Sequence, residues 1–451
     1  MTRFNRFLEH ATAWLVAVAL SLMAKTLLAA ALTHQVKGLE VNGARRTNLE
    51  WIREYIGIKY PAELPEPDLA RIRRKLMTAD VFVDVKVRFD EESANLVIDL
   101  EEKWTTIPVV RGAYGGGTPL LVLGAYDTHA FGRLVTVGAE TKKYGDSQPG
   151  YTLWAKLPRA GRGKSSAGIE IWKDNRRRDY YDSLGNQTGS LTFNSKYIRL
   201  YHLVPLLSDD DPLDPRIFQA GVEALFRQDR KPSVDGNPDT TLNLPSGFHD
   251  PGGSGEASEQ RILGSLVFDN MGVEDQLLQG QRILIKTGYS RGSGVEEPGL
   301  SRYSEAELFS FHRPFDSWNL AIHGYAQSAG SPTISNVFHL GGFDSVRGFP
   351  DGIRYGTFAA YGNFELRQEA LANRWMKLAG VVFSDAGIAG RDFDDARQDL
   401  FRSVGGGVRI SIPKVHRLVF RLDYAWGRSN QISTSGISLG LNQFFQPYKP
   451  L

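Results

Sequence analysis

The sequence predicts a mostly β chain, a transmembrane antiparallel β-barrel of about 16 strands preceded by one small α+β (βααββ) unit. Three observations carry this expectation. After Trp104, segments of roughly ten residues alternate apolar and polar side chains between clusters of Gly, Asp, Asn, Ser and Pro. Glycine supplies 47 of 451 residues and aromatics 11%, against a modest apolar share of 41%, a balance that suits strands and turns better than a helical core. One face of each clear alternating segment is rich in charge.

Composition also excludes function classes. A net charge of +2 provides no bulk positive field for nucleic acid, so no nucleic-acid partner is expected. With no cysteine there is neither a disulfide framework nor a thiolate metal site, and the nine histidines show no metal-ligand spacing. No cofactor is expected.

Residues 1–31 read as an export signal. Arg3 and Arg6 lead an apolar segment from Ala11 to Met23, and Ala29-Ala30-Ala31 offers small residues for cleavage before Leu32. Glu9 and Lys25 fit that pattern poorly, and a short N-terminal anchor helix is the alternative. No later run of about 20 apolar residues suggests a spanning helix.

Residues 35–103 make the α+β unit. Val36, Leu39 and Val41 form a strand-like stretch ending at the Asn42-Gly43 turn. Thr47-Asn48 offers a helix cap before Leu49, Ile52, Tyr55 and Ile56 at helical spacing, and Leu69, Ile72, Leu76 and Met77 repeat that spacing after a break at Pro61 to Pro67. Val81, Val83, Val85 and Val87 then alternate with Phe82, Asp84, Lys86 and Arg88, and Leu96, Ile98 and Leu100 form a closing strand. On Val36-x-x-Leu-x-Val-Asn-Gly, Leu76-Met-Thr-Ala-Asp-Val-Phe-x-x-Val and Leu100-Glu-Glu-Lys, the unit resembles a single POTRA domain, with an unrelated spacer as the alternative. The resemblance implies a periplasmic module that docks extended peptide at a sheet edge.

Residues 104–451 make the barrel. Phe420, Leu422, Tyr424 and Trp426 alternate with Val419, Arg421, Asp423 and Ala425, while Phe358, Ala360, Gly362, Phe364 and Leu366 alternate with Ala359, Tyr361, Asn363, Glu365 and Arg367. Alternation alone fits a sandwich or a barrel. The barrel is favoured by aromatics at strand ends (Tyr424/Trp426, Phe444/Phe445), by charge confined to one face, and by the export signal. An arginine facing lipid at mid-depth costs about 2–4 kcal/mol, so the charged faces must turn inward together. The aperiodic stretch from Gln228 to Gln260 reads as a long connection, which the strand count puts on the periplasmic side.

The stretch Gly341 to Gly352 holds one arginine among turn-forming glycines. Val346-Arg347-Gly348-Phe349, followed by Phe383-Ser384-Asp385-Ala386-Gly387, with weaker signatures at Gly124 to Arg133 and Phe268-Asp269-Asn270, resembles the BamA/TamA-type superfamily of outer-membrane insertases and translocators, the bacterial surface antigen family. The resemblance implies that this loop folds into the lumen and sets Arg347 against Glu365 and Asp385. Strand parity agrees, since Glu365 shares a face with Asn363 and Arg367, and Asp385 with Phe383. The resemblance also implies a seam between the first and last strands, placed at Leu120, Leu121, Val122 and Leu123 against Ile437, Leu439 and Leu441. One POTRA-like unit departs from both multi-POTRA insertases and two-POTRA transporters.

Motifs of enzymes fail on context. Gly288-Tyr-Ser-Arg-Gly292 lacks the following helix of a nucleophile elbow, Gly163-Lys164-Ser165 has Pro158 where a phosphate loop requires glycine, and Asp209-Asp210-Asp211 reads as a solvated acidic loop. The expected protein is a non-enzymatic outer-membrane barrel with its N-terminal unit in the periplasm. Its expected partners are unfolded or partly folded client polypeptides, outer-membrane lipids, and periplasmic chaperones or lipoproteins. A two-partner secretion transporter for one client and a passive porin-like channel or surface antigen are the alternatives.

Overall fold

The computed structural model describes residues 33–113, 120–144, 148–160, 165–206, 217–236, 256–274, 277–293, 300–330, 337–342, 345–414 and 419–441. The expected export signal, the Asp209 to Asp211 loop and the Phe444/Phe445 pair lie outside them.

The N-terminal unit comprises β1 (Thr33–Val36), β2 (Gly38–Asn42), α1 (Leu49–Ile56), β3 (Ala62–Pro65), α2 (Glu66–Thr78), β4 (Phe82–Asp90) and β5 (Asn95–Glu102). β2 runs parallel to β5, β4 antiparallel on its other side, and β1 pairs with β3. The break expected at Pro61 to Pro67 thus contains a short strand, which is too brief to show a period. Asn48 caps α1 by accepting the Trp51 N–H at 3.0 Å, and Gly57 ends it at φ 81°. Ile52, Ile56, Ile72, Leu76, Phe82, Leu96 and Ile98 fill the core. Trp51 takes the buried place expected for Leu49, which is exposed.

The wall has sixteen antiparallel strands: β6 (Thr106–Ala113), β7 (Leu120–Ala130), β8 (Val135–Tyr144), β9 (Gly150–Ala160), β10 (Ser165–Tyr181), β11 (Gln187–Pro205), β12 (Ile217–Gly236), β13 (Glu256–Asp269), β15 (Leu277–Ser293), β16 (Leu300–Phe315), β17 (Trp318–Ala329), β20 (Phe358–Ala372), β21 (Lys377–Gly390), β22 (Phe401–Ser411), β23 (Val419–Arg428) and β24 (Ser433–Leu441). The barrel closes β24 on β6. Between β13 and β15, the three-residue β14 (Gly272–Glu274) forms a hairpin with the start of β15. Alternation appears directly in burial: along β23, Val419, Arg421, Asp423 and Ala425 point inward while Phe420, Leu422, Tyr424 and Trp426 are exposed outside. The Gly288 to Gly292 segment lies within β15, with no nucleophile turn.

Two expectations change together. The first wall strand is β6, so Leu120, Leu121, Val122 and Leu123 belong to the second strand, and the seam facing Ile437 and Leu439 is formed by residues 106–113. Pro108 disguises β6 in the sequence, because proline argues against strand pairing. Counting β6 also turns the Gln228 to Gln260 connection to the end of the barrel away from the N-terminal unit. Its flanks are strand, with Arg230 opposite Glu256. Where strands extend past the apolar belt both faces are polar, so the period-two signal vanishes although pairing continues.

The β7–β8 turn seats the N-terminal unit on the barrel. Gly132 accepts the Asn48 N–H at 3.1 Å, and Leu134 inserts into the unit's own core. Leu134 N–H donates to His129 Nδ1 at 3.1 Å, leaving Nε2–H to donate to Thr47 Oγ1 at 3.0 Å. Thr47 in turn donates to Glu102 at 2.6 Å. Beside the seam, Trp104 N–H donates to Lys414 O of the β22–β23 turn at 2.9 Å.

Candidate functional site: a loop latched inside the barrel

Between β17 and β20 the chain forms a small hairpin of β18 (Phe338–Leu340) and β19 (Arg354–Gly356). Its tip is held by its own backbone: Gly342 N–H donates to Phe349 O at 2.9 Å and Gly352 N–H to Leu340 O at 3.1 Å. The Ser345 hydroxyl accepts from Gly341 N–H at 2.8 Å and donates to Gly341 O at 2.9 Å. Gly348 has φ +88°, a conformation that a side chain resists, and a Cβ there would stand 3.1 Å from Ala425 O.

This tip lies against the inner wall. Val346, Phe349, Leu340 and Ile353 are buried with Ala359, Ala389, Phe401 and Ile432. The wall is carved to receive them. A Cβ on Gly387 would fall 2.8 Å from Leu340 and 2.9 Å from Val346, and one on Gly427 would fall 2.6 Å from the Phe349 ring. A Cβ on Gly436, on the last strand, would stand 3.6 Å from Gly348. The loop therefore lies beside the strand that forms one side of the seam.

Arg347 is 1% exposed, the largest of the fully buried side chains among the described residues. Its Nε and Nη2 donate to the two oxygens of Asp385, both at 2.8 Å, and its backbone N–H adds a third bond to Asp385 at 3.0 Å. Nη1 donates to Glu365 at 2.6 Å and to Asp423 at 3.2 Å. The guanidinium also stacks on Phe383, 3.4 Å from the ring centroid. A fork of donors on a carboxylate, backed by an aromatic face, is a geometry that lysine cannot reproduce.

The carboxylates are themselves tied down. Glu365 accepts from Arg367 Nε at 2.8 Å and Arg409 Nη2 at 3.1 Å, Asp423 binds Arg409, and Asp385 accepts from Asn363 at 2.9 Å and Ser403 at 3.3 Å. With Arg421 3.8 Å from Asp423, four guanidiniums surround three carboxylates. Such a set is stable only as a whole, because removing one partner strands charge in a poorly solvated place.

The expected latch residues Val346, Arg347, Gly348, Phe349, Glu365, Phe383, Asp385 and Gly387 thus meet at one place. The expected seam residues do not. Leu121 and Leu123 point outward from β7, Val122 inward, and Ile437 and Leu439 outward from β24. Sequence reasoning missed Asp423 and Arg409. Their signal was the run Gly405-Gly406-Gly407 in a strand: a Cβ on Gly405 would meet the Phe383 ring at 2.3 Å, and one on Gly407 would meet Asp423 at 2.0 Å.

No family model matches the sequence, and no curated protein matches it. Solved structures do. CdiB from Acinetobacter baumannii aligns with a TM-score of 0.56 at 13% identity, covering 91% of this chain and 74% of that one. CdiB from Escherichia coli gives 0.52 at 13% identity, with 91% and 90% covered. BamA from Haemophilus ducreyi lacking POTRA domains 1–3 gives 0.51 at 13% identity, with 91% and 84% covered. With its sixteen-strand barrel, its small N-terminal unit and a loop latched in the lumen, the chain has the fold that BamA and CdiB share.

Proposed function

We propose that this is a non-enzymatic outer-membrane protein that inserts, assembles or translocates polypeptides, with its POTRA-like unit in the periplasm. The observation that carries the reading is the seam. Among the described residues, β6 and β24, at 8 and 9 residues, are the two shortest wall strands and their junction is the most thinly contacted of the sixteen. Pro108 in β6 has no N–H to give, and Gly436 and Gly440 in β24 pack no side chain. A junction of that kind opens at the least cost, exposing a strand edge that can pair with a client by main-chain hydrogen bonds.

The latch supports the same reading. It fastens the loop to β20, β21 and β23, so those strands keep their places while the seam beside them parts. Clients are unfolded or partly folded polypeptides delivered from the periplasm by chaperones or lipoproteins, and the outward apolar face meets outer-membrane lipid.

The test is a tether. The chain has no cysteine, so pairs drawn from residues 107–111 and 435–439 can lock the seam under oxidation. Locking should stop the appearance of folded outer-membrane proteins or of a secreted client, and reduction should restore it. Which of the two stops distinguishes insertion from secretion. Full activity in the locked form, or a change confined to small-solute uptake, rejects the reading in favour of a passive channel.

A further inference from the structure

The latch continues one step beyond its ion pairs. Asn363 on β20 donates through its amide nitrogen to Ser345 O of the loop at 2.6 Å and to Asp385 at 2.9 Å. Both are acceptors, so the amide has one workable orientation and its oxygen points away from them. That oxygen meets Nδ1 of His323 on β17 at 3.2 Å, and Nε2 of the same ring meets a Glu307 carboxylate oxygen on β16 at 3.0 Å. The ring is held flat and edge-on. It stacks on Phe309 with centroids 4.5 Å apart and stands across Tyr361 at 5.4 Å.

An amide oxygen and a carboxylate only accept. A neutral imidazole has one nitrogen that donates and one that accepts, so either tautomer sets a lone pair against an oxygen. The imidazolium donates to both. If the proton passes to Glu307, Nε2 accepts from the acid and the count is unchanged. This arrangement therefore holds one proton more than a neutral ring beside a carboxylate. Glu307 is partly exposed, which gives that proton a way in.

The other charged and titratable groups around the ring are engaged elsewhere. On β16, Glu305 accepts from the Tyr303 hydroxyl at 3.0 Å and lies 3.6 Å from Lys286. On β20, Glu365 and Arg367 follow Asn363 on the same inward face and bond each other at 2.8 Å. Asp385 of β21 is held by Arg347 of the loop, and on β17 itself the Tyr325 hydroxyl donates to Gln327 at 2.8 Å.

We propose that His323 is a positioning residue of the latch that acts as a cation, fastening Asn363 and through it the loop to the wall at Glu307, so that the grip on the loop depends on a proton. When the proton leaves, one of the ring's two bonds is lost, and Asn363 passes the loss to Ser345 and Asp385. The inference concerns the loop and stands apart from any client or opening of the seam.

The test uses the full chain folded in lipid vesicles, with hydrogen exchange across residues 345–352 corrected for the intrinsic effect of pH. From about pH 5.5 to about pH 8.5, where imidazole titrates and ordinary carboxylates and guanidiniums do not, protection should fall about tenfold, the size of one hydrogen bond. Glu307→Gln offers the ring a donor as well as an acceptor, so a neutral ring keeps both bonds and protection should stay level. His323→Leu should be level at or below the alkaline value of the unaltered chain. His339, in the loop itself, donates from Nδ1 to Val337 O at 3.0 Å, and His339→Gln should leave the fall intact. Heat-modifiable migration in electrophoresis checks that each variant remains a folded barrel. A level profile in the unaltered chain overturns the proposal, as does a fall that persists in His323→Leu or Glu307→Gln, or one abolished by His339→Gln. The unaltered chain and Glu307→Gln both keep the ring, so they decide the matter if His323→Leu fails to fold.

Discussion

The two ends of the barrel are fastened by different chemistry. At the end away from the N-terminal unit, Arg347 holds a loop through charge, in a set of four guanidiniums and three carboxylates whose central members are fully buried. At the other end, the unit is held through a relay from His129 through Thr47 to the Glu102 carboxylate and through one ion pair, Arg46 to Asp127 at 2.9 Å, together with backbone bonds at Gly132 and Lys414. The charged latch tolerates the loss of no member, because burial removes the water that would solvate what remains. The junction buries the His129–Thr47 bond but leaves the Arg46–Asp127 pair on a solvated rim, where water replaces what is lost at modest cost. The difference suits a molecule in which the loop must stay while the unit near the seam shifts.

The largest effect that would test this contrast is expected at Asp385. Asp385→Ala leaves four guanidiniums facing two carboxylates, whereas Arg347→Ala leaves three facing three. Both should leave the barrel inserted and loosen the loop, and Asp385→Ala should do so more, by about 3–5 kcal/mol of local stability. Hydrogen exchange and protease sensitivity across residues 345–352 measure this; unchanged protection in both variants would mean that charge does not hold the loop.

A middle effect is expected at Gly387→Val. It adds atoms where a Cβ alone would already sit within 3 Å of Leu340 and Val346, so the hydrophobic half of the latch is overpacked while every ion pair is kept. The cost should be about 1–3 kcal/mol, read by the same exchange experiment. If the loop stays as protected as before, packing contributes little beside charge.

The smallest effect is expected at Thr47→Val, which removes the hydroxyl between His129 and Glu102 and should weaken the junction by about 1–2 kcal/mol, followed by denaturant unfolding of the N-terminal unit through Trp51 fluorescence. Acid provides an independent arm. Burial raises the Glu102 pKa, but hydrogen bonds from Thr47 and Arg46 outweigh it and bring the carboxyl below its ordinary value of 4.5. A depressed folded value means that the stabilisation is complete above about pH 4.5 and is lost as pH falls through the folded pKa. Thr47→Val should begin to lose it at higher pH; an unchanged acid profile would remove Glu102 from the junction.

Much of the latch was legible because two short motifs resemble those of a known family, and the partners that the resemblance implied for Arg347 agreed with strand parity. Parity alone turned Glu365 and Asp385 inward, and the fork of a guanidinium suited both. Asp423 was legible as an inward charge but not as a partner of Arg347, since nothing local says which of many inward carboxylates a loop will reach. The glycines were similarly ambiguous. Gly387, Gly427, Gly405 and Gly407 read as weak strand positions until the side chains that fill their space, Val346, Phe349, Phe383 and Asp423, were placed against them.

By itself, the sequence determined the class of fold, an approximate number of wall strands and the face on which each charge lies, because alternation with period two is a local property of an extended chain. Only the tertiary structure decided where the wall begins. Pro108 hid β6, and a single uncounted strand moved the seam and reversed the side of a long connection. It also decided which carboxylates Arg347 joins, since closing a barrel brings strands distant in sequence to one place and pairing fixes the depth of each residue within it.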